Sequence, residues 1–378
     1  MLGFRWVASH TGAPGDSGYA DVSNRLHDQD HNNIALIGKG ANAPGEPPPE
    51  MRDAVTEWVG RRGNGRCFVM VHGYAYDPSD DADEDDDPYQ RVFGRPGETI
   101  GQGESWLPIV GETDDDGSGL ADIAVGFGWT SRADMADFAH AGWNHSYQYA
   151  ALDLAVEASL TLALLIRALS DAGLTVDVLA HSMGTRTTVQ ALRRLGAVGA
   201  GGAVLMAGSE FSLDTRDAMK AVTTDVYNLV IEDDAVLNWG AEEACHPYRR
   251  VNAVESRVIG AGGMAPSADW LDLQLDRRRF EHRSDFDAWF RNRGYELSPE
   301  PTKGRGQHWA HYLHDGNRAL MRDILANDHM TLGWFRENGV IECVTHPLYA
   351  KLPGAVPQTP QTSDERRRIA QEDQRIDL

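Results

Sequence analysis

The sequence predicts an α/β protein with a mostly parallel central sheet, because short apolar runs alternate with longer amphipathic segments. Each apolar run is bounded by polar residues or glycine, which is typical of a buried strand. The predicted strands are 34–37, 67–71, 123–127, 176–179, 203–206, 226–231 and 270–275. The predicted helices are 50–59, 147–169, 183–195 and 317–326. This alternation indicates repeated βαβ units rather than separate helical and sheet domains.

The domain organisation follows from the same pattern. We expect a single domain over residues 1–352, with a core at about 64–330. Two insertions interrupt the alternation: 77–119, which is rich in acidic residues and glycine, and 251–307. Residues 353–378 carry too few apolar side chains to pack, so we expect a flexible tail there.

The charge balance argues against a nucleic-acid partner. The 378 residues include 57 Asp and Glu against 35 Lys and Arg, a formal net charge of −22, and an acidic surface repels nucleic acid. The three cysteines occur in no paired spacing, so we expect reduced thiols and a cytoplasmic protein. Charged residues interrupt the most apolar run, 150–169, so we expect no membrane span.

A lone serine between small residues follows the predicted strand 176–179, in the sequence AHSMG at 180–184. A serine hydroxyl becomes a nucleophile only when a base removes its proton, and hydrolases that use one present it clear of the sheet. A sharp turn from strand to helix does this, and it brings the second residue before the serine close to the second residue after it. Ala180 and Gly184 are small enough for that turn. The pattern therefore predicts Ser182 as a nucleophile.

Two backbone amides are candidates for an oxyanion hole. The helix predicted after the serine begins beside it, so the N–H of Met183 points toward a developing oxyanion. A strand upstream ends in His-Gly-Tyr, where glycine lets the chain fold back toward the serine. The N–H of Tyr74 is the second candidate donor, and that of Ala75 is its alternative. We interpret His72 and His181 as structural groups that bond nearby backbone.

The acid and the base of such a hydrolase are expected after the serine, in that order. The predicted strand 226–231 delivers Asp233 and Asp234 at its carboxyl end, where parallel sheets keep their functional loops. Three histidines precede the last long predicted helix: His308, His311 and His314. Position along the chain leaves both aspartates and all three histidines open.

The sequence resembles the α/β-hydrolases, and more narrowly an uncharacterised bacterial family of serine-hydrolase-like proteins. The matching segments cover roughly residues 66–326 and are VMVHGYA, GFGWTS, VLAHSMGTRTTVQAL, the Asp-x-Ala at 233–235 and HYLHDGNRALMRDIL. The resemblance implies the α/β-hydrolase fold and a catalytic triad of Ser182, Asp233 and His311. His308, followed by tryptophan, resembles the Gly-His-Trp of other α/β-hydrolases and is the alternative base.

These residues predict a cofactor-independent serine hydrolase that cleaves a carboxylic ester or related acyl substrate through an acyl-enzyme. The alternatives are a non-catalytic binding or scaffold protein on the same fold and an acyltransferase that uses the same triad. We expect no metal. The acidic run 80–87, in the insertion after Tyr74, lacks the glycine and glutamate spacing of an EF-hand. We interpret the run as a solvated loop. The insertion that contains it leaves the sheet directly after Tyr74, so it is a candidate lid or rim of the site, and the alternative is a loop far from the pocket.

Overall fold

The protein has an α/β architecture on a nine-stranded sheet, which confirms the predicted fold class. The computed structural model describes residues 2–8, 22–27, 33–37, 46–62, 65–79, 83–84, 86–94, 105–110, 123–132, 147, 150–196, 200–231, 234–238, 257–262, 269–275, 290–297, 306–326 and 330–337. The strands within them are β1 (Leu2–Ala8), β2 (Val22–His27), β3 (Asn33–Ile37), β4 (Arg66–Val71), β5 (Ile123–Trp129), β6 (Thr175–His181), β7 (Gly202–Met206), β8 (Asp225–Val230) and β9 (Trp270–Gln274).

The strand order across the sheet is β3-β2-β1-β5-β4-β6-β7-β8-β9. Strand β2 pairs antiparallel with β1 and β3, and the remaining pairings among these nine strands are parallel. All seven predicted strands are confirmed. Strands β1 and β2 are additional, because Arg5 interrupts one and the Ser-Asn-Arg of 23–25 interrupts the other. The sheet therefore extends to the N-terminal side of the predicted core.

Helices cover both faces of the sheet. They are α1 (Pro49–Arg62), α2 (Pro88–Arg91), α3 (Leu107–Val110), α4 (Ala155–Asp171, preceded by a π-helical turn at Ala150–Leu154), α5 (Met183–Leu195), α6 (Ser212–Met219), α7 (Ile259–Gly262), α8 (Gly306–Leu313), α9 (Asp315–Ala326) and α10 (Leu332–Glu337). The four predicted helices are confirmed as α1, α4, α5 and α9. In the described part of the chain, no helix combines the length and the apolar character needed to cross a membrane.

Alternate side chains of the strands contribute to two separate hydrophobic cores. In β4, Val69 and Val71 belong to the core that also contains residues of α1, α4 and α5. Phe68 and Met70, which point to the other face, belong to the core that contains residues of α3, α9 and α10. A strand buried on both faces appears in the sequence as a continuous apolar run, which explains why the central strands are predictable.

Part of the segment 77–119 is built into the second core. Phe93 and Trp106 are fully buried, and their rings pack edge to face with centroids 5.8 Å apart. Phe93 also covers Gly126 of β5, where an added Cβ would lie 2.8 Å from its ring. Asp87, the last residue of the acidic run, accepts a hydrogen bond from a backbone N–H in the first turn of α2. The predicted lid or rim role of this segment stays a prediction.

The strand order also locates a crevice. The chain passes from β4 to β5 on one side and later places β6 on the other side of β4. In parallel sheets, ligands bind outside the carboxyl ends of the strands at such a point of reversal. The carboxyl ends of β4 and β6 are followed by Gly73 and Ser182, so the fold brings the two predicted elements to one place.

Candidate active site

Ser182 occupies a strained turn between β6 and α5. Its backbone has φ 52° and ψ −125°, a region that residues with a side chain rarely adopt. The backbone N–H of Ser182 donates to the carbonyl of Met206 at the end of β7, at 2.9 Å. The turn therefore has the conformation of the nucleophile elbow that the sequence predicts, held by a neighbouring strand.

Two glycines make the close approaches that this turn requires. A Cβ on Gly184 would lie 2.3 Å from the carbonyl oxygen of His72 and 2.5 Å from that of Val71. A Cβ on Gly73 would lie 2.8 Å from the Cβ of Ser182. The end of β4 thus contacts both the first turn of α5 and the serine itself. Residues without a side chain are needed at both positions because the opposing atoms are backbone or the serine Cβ.

Thr185 fixes the elbow from the helix side. Its hydroxyl donates to the carbonyl oxygen of Ser182 at 2.6 Å and accepts the backbone N–H of Ser209 at 3.0 Å. The N–H of Ser209 also donates to the Ser182 carbonyl, at 3.3 Å. These bonds tie the first turn of α5 to the segment after β7. The serine is consequently held by three elements, and its side chain is only 5% exposed.

His72 fixes the backbone of the predicted oxyanion segment. Its Nε2 accepts the backbone N–H of Trp129 at 2.9 Å, so the proton is on Nδ1, which donates to the carbonyl oxygen of Gly73 at 2.9 Å. That carbonyl belongs to the same planar peptide as the N–H of Tyr74. The bond therefore sets the direction of the predicted oxyanion donor. Full burial lowers the pKa of His72 to about 3, and the hydrogen bond to Gly73 opposes this only partly.

This low pKa predicts a pH-dependent stability. The ordinary pKa of histidine is 6.5, so between about pH 6.5 and pH 3 the unfolded chain binds a proton at His72 that the folded chain does not. Stability from His72 is complete above this window and falls by up to about 1.4 kcal/mol per pH unit on acidification. We expect His72→Asn, whose amide still donates to Gly73, to lose that slope. Urea unfolding at about pH 5 and pH 7 measures it, and equal slopes in both proteins would contradict the prediction.

A buried histidine and aspartate form a pair in the same region. The Nδ1 of His308, in α8, is bonded to the Oδ2 of Asp234 at 2.7 Å. The other carboxylate oxygen of Asp234 accepts the backbone N–H groups of Val236 and Leu237, at 2.9 and 3.1 Å. Both side chains are buried, with 4% and 0% exposure. The aspartate is therefore fixed by backbone N–H groups and holds the imidazole through Nδ1.

Asp234 and His308 differ from the residues that the resemblance implies, which are Asp233 and His311. Asp233 lies outside the described residues, and so does the side chain of His311, whose backbone is in α8. The sequence predicts no helix at the three histidines that precede the last long helix, whereas His308 lies in a helix of its own that begins at Gly306. Among the described side chains, the acid–base pair that the structure brings together is Asp234 with His308.

The expected bonds of His72 and His181 to backbone are present, and their interpretation as structural groups stays a prediction. His72 bonds the backbone of residues 73 and 129, and the Nε2 of His181 is 2.9 Å from the carbonyl oxygen of His308. The contact between His181 and the helix that carries His308 could not be found in the sequence, because 127 residues separate the two. No metal-binding group of three or more His, Cys, Asp or Glu occurs among the residues that the structure describes.

Comparisons with known proteins give no family assignment for the chain. No protein-family model matches it, and no curated protein matches it.

Proposed function

We propose that the protein is a serine hydrolase that cleaves a carboxylic ester or a related acyl compound, with the α/β-hydrolase fold that its sequence resembles. The proposed nucleophile is Ser182, the base is His308 and the acid is Asp234. One observation carries the proposal: a serine in a strained strand-to-helix turn and a buried His–Asp pair are linked directly, because His181, next to the serine, bonds the backbone of His308. Triads are recognised by such roles and geometry.

In the proposed acylation step, the Oγ of Ser182 attacks the substrate carbonyl carbon while Nε2 of His308 removes the hydroxyl proton. Asp234 stabilises the imidazolium through its bond to Nδ1. The tetrahedral intermediate then expels the alcohol, which receives the proton from His308, and Ser182 keeps the acyl group. In the second step water attacks the acyl carbon while the same histidine removes its proton. The bond to the Oγ of Ser182 then breaks, the carboxylic acid leaves, and the proton passes from His308 to the serine.

The charge that develops on the carbonyl oxygen needs donors fixed in advance. Met183 is the first residue of α5, and the first amides of a helix have no carbonyl partner within it. The peptide between Gly73 and Tyr74 is oriented by His72 and packs against Ser182. Losing one such donor typically costs about 10²- to 10³-fold in kcat. We therefore assign the N–H groups of Met183 and Tyr74 to the oxyanion hole.

The proposal predicts covalent labelling at a single serine. A fluorophosphonate probe is expected to modify wild-type protein at Ser182, as read by mass spectrometry of the peptides, because the probe reacts with activated serines. Ser182→Ala is expected to abolish both labelling and hydrolysis of short p-nitrophenyl esters. Ser209→Ala is the matched control, since Ser209 is also buried beside the elbow, and this variant is expected to retain labelling.

An unlabelled wild-type protein that also fails to turn over the esters would contradict the hydrolase. It would favour the alternative of a binding or scaffold protein on the same fold. Labelling with slow hydrolysis that an added alcohol accelerates would instead favour transfer of the acyl group to an acceptor other than water. Each result distinguishes one of the functions that the sequence leaves open.

A further inference from the structure

His181 joins the nucleophile segment to the helix that carries the base. Its backbone immediately precedes Ser182, and its Nε2 lies 2.9 Å from the carbonyl oxygen of His308. A carbonyl oxygen only accepts, so Nε2 carries the proton and donates. The imidazole rings of His181 and His308 lie 4.7 Å apart between centroids. The side chain thus reaches from one predicted catalytic residue to the backbone of the other.

The ring of His181 is held in this position by aromatic neighbours. Tyr312, one turn after His308 in α8, packs perpendicular to it with centroids 5.0 Å apart. Trp106 contacts it edge to face at 6.0 Å and also packs against Tyr312 at 5.4 Å. The side chain of His181 is 4% exposed. A fully packed ring has little rotameric freedom, so the donated hydrogen bond has a fixed direction.

The hydrogen bond from His181 restrains a part of His308 that Asp234 does not hold. Asp234 holds the His308 imidazole at Nδ1 but does not fix the backbone from which that ring projects. His308 lies in the first turn of α8, and helix ends fray when tertiary contacts do not hold them. A bond to the carbonyl of this residue restrains both the position of its Cα and the start of the helix.

We propose that His181 is a positioning residue for the base: its Nε2–H sets the location of His308 relative to Ser182. This inference rests on the proposed hydrolase function and adds a residue that does not touch the substrate. A shift of about 1 Å in a catalytic group costs on the order of 10²-fold in rate, so the effect belongs in kcat. Binding of the substrate is not expected to depend on it.

Two polar substitutions separate the role of this donor from general packing. In His181→Gln the amide nitrogen reaches the former place of Nε2, whereas in His181→Asn it reaches only that of Nδ1. We expect kcat for an ester to fall about 10- to 100-fold in His181→Asn, with KM nearly unchanged, and to be restored within about threefold in His181→Gln. Circular dichroism and Tm confirm that both variants fold. Equal kcat in the two variants would overturn the proposal.

A second readout does not require activity. The Nδ1 proton of His308, bonded to a buried carboxylate, is expected to give a resolved downfield NMR signal, assigned by its loss in His308→Asn. We expect this signal to persist in His181→Gln and to shift or broaden in His181→Asn. An unchanged signal in His181→Asn would refute the positioning role even if the ester assay and the fluorophosphonate probe both failed. If the probe does not label the protein but the His308 signal still changes in His181→Asn, only the hydrolase proposal is refuted.

Discussion

Replacing His308 with asparagine is expected to lower kcat for ester hydrolysis by at least about 10⁴-fold while the protein stays folded. The asparagine amide can still donate to the buried Oδ2 of Asp234, so no charge is left without a partner. What disappears is Nε2, the group that we propose takes the proton from Ser182. Steady-state kinetics, with thermal unfolding as the check on folding, measure the effect.

The matched substitution at the acid is Asp234→Asn, which we expect to lower kcat by about 10⁴-fold because the imidazole loses its correct tautomer. Groups that act as one unit are strongly non-additive, so the double variant with His308→Asn is expected to be scarcely slower than the slower single variant. Additive losses would mean that the pair is structural and that the two residues act separately.

Their neighbours in the sequence provide the controls. His311→Ala and Asp233→Asn alter the residues that the resemblance implies, and we expect each to keep activity within about tenfold of wild type. Loss of activity confined to these two variants would return the triad to Asp233 and His311. The comparison therefore decides between two assignments that differ by one residue at the acid and three at the base.

The sequence best predicts the elements that are buried on both faces. In the central strands the buried positions are largely apolar, as in residues 67–71 of β4, because helices cover the sheet on both sides. The first two strands escape prediction because β1 includes Arg5 and β2 is largely polar. Helix α8 is not predicted because it is short and two of its eight residues are histidines, which weaken its apolar pattern.

Some residues of the candidate site can be predicted from the sequence and others cannot. Ser182 and Gly184 are predictable since the elbow imposes residue size at fixed offsets within five residues. The proposed base is not predictable, because residues 308 and 311 are only three apart in the sequence and both precede the last long predicted helix. Likewise, no local pattern in the sequence indicates that the carboxylate of Asp234 accepts the backbone N–H groups of Val236 and Leu237. Such choices are made by long-range contacts that leave no local pattern.

Gly184→Ala is expected to be strongly destabilising, although it adds only one methyl group beside Ser182. The new Cβ would lie 2.3 Å and 2.5 Å from the carbonyl oxygens of His72 and Val71, distances that real Cβ atoms do not show. These are backbone atoms at the end of β4, a fully buried strand, and they cannot rotate away as a side chain would. We expect a loss of at least about 3 kcal/mol in the free energy of unfolding, measured in urea.

Gly60→Ala is the matched control for this prediction. Gly60 is an exposed residue of α1, and an added Cβ there meets nothing within 4 Å. Alanine in a helix is favoured over glycine by up to about 1 kcal/mol, so this variant is expected to be slightly more stable than wild type. If Gly184→Ala folds, α5 must have moved away from β4, and with it Ser182 and the N–H of Met183. Such a protein is expected to lose fluorophosphonate labelling, so normal stability together with normal labelling would contradict the close contact between helix and strand.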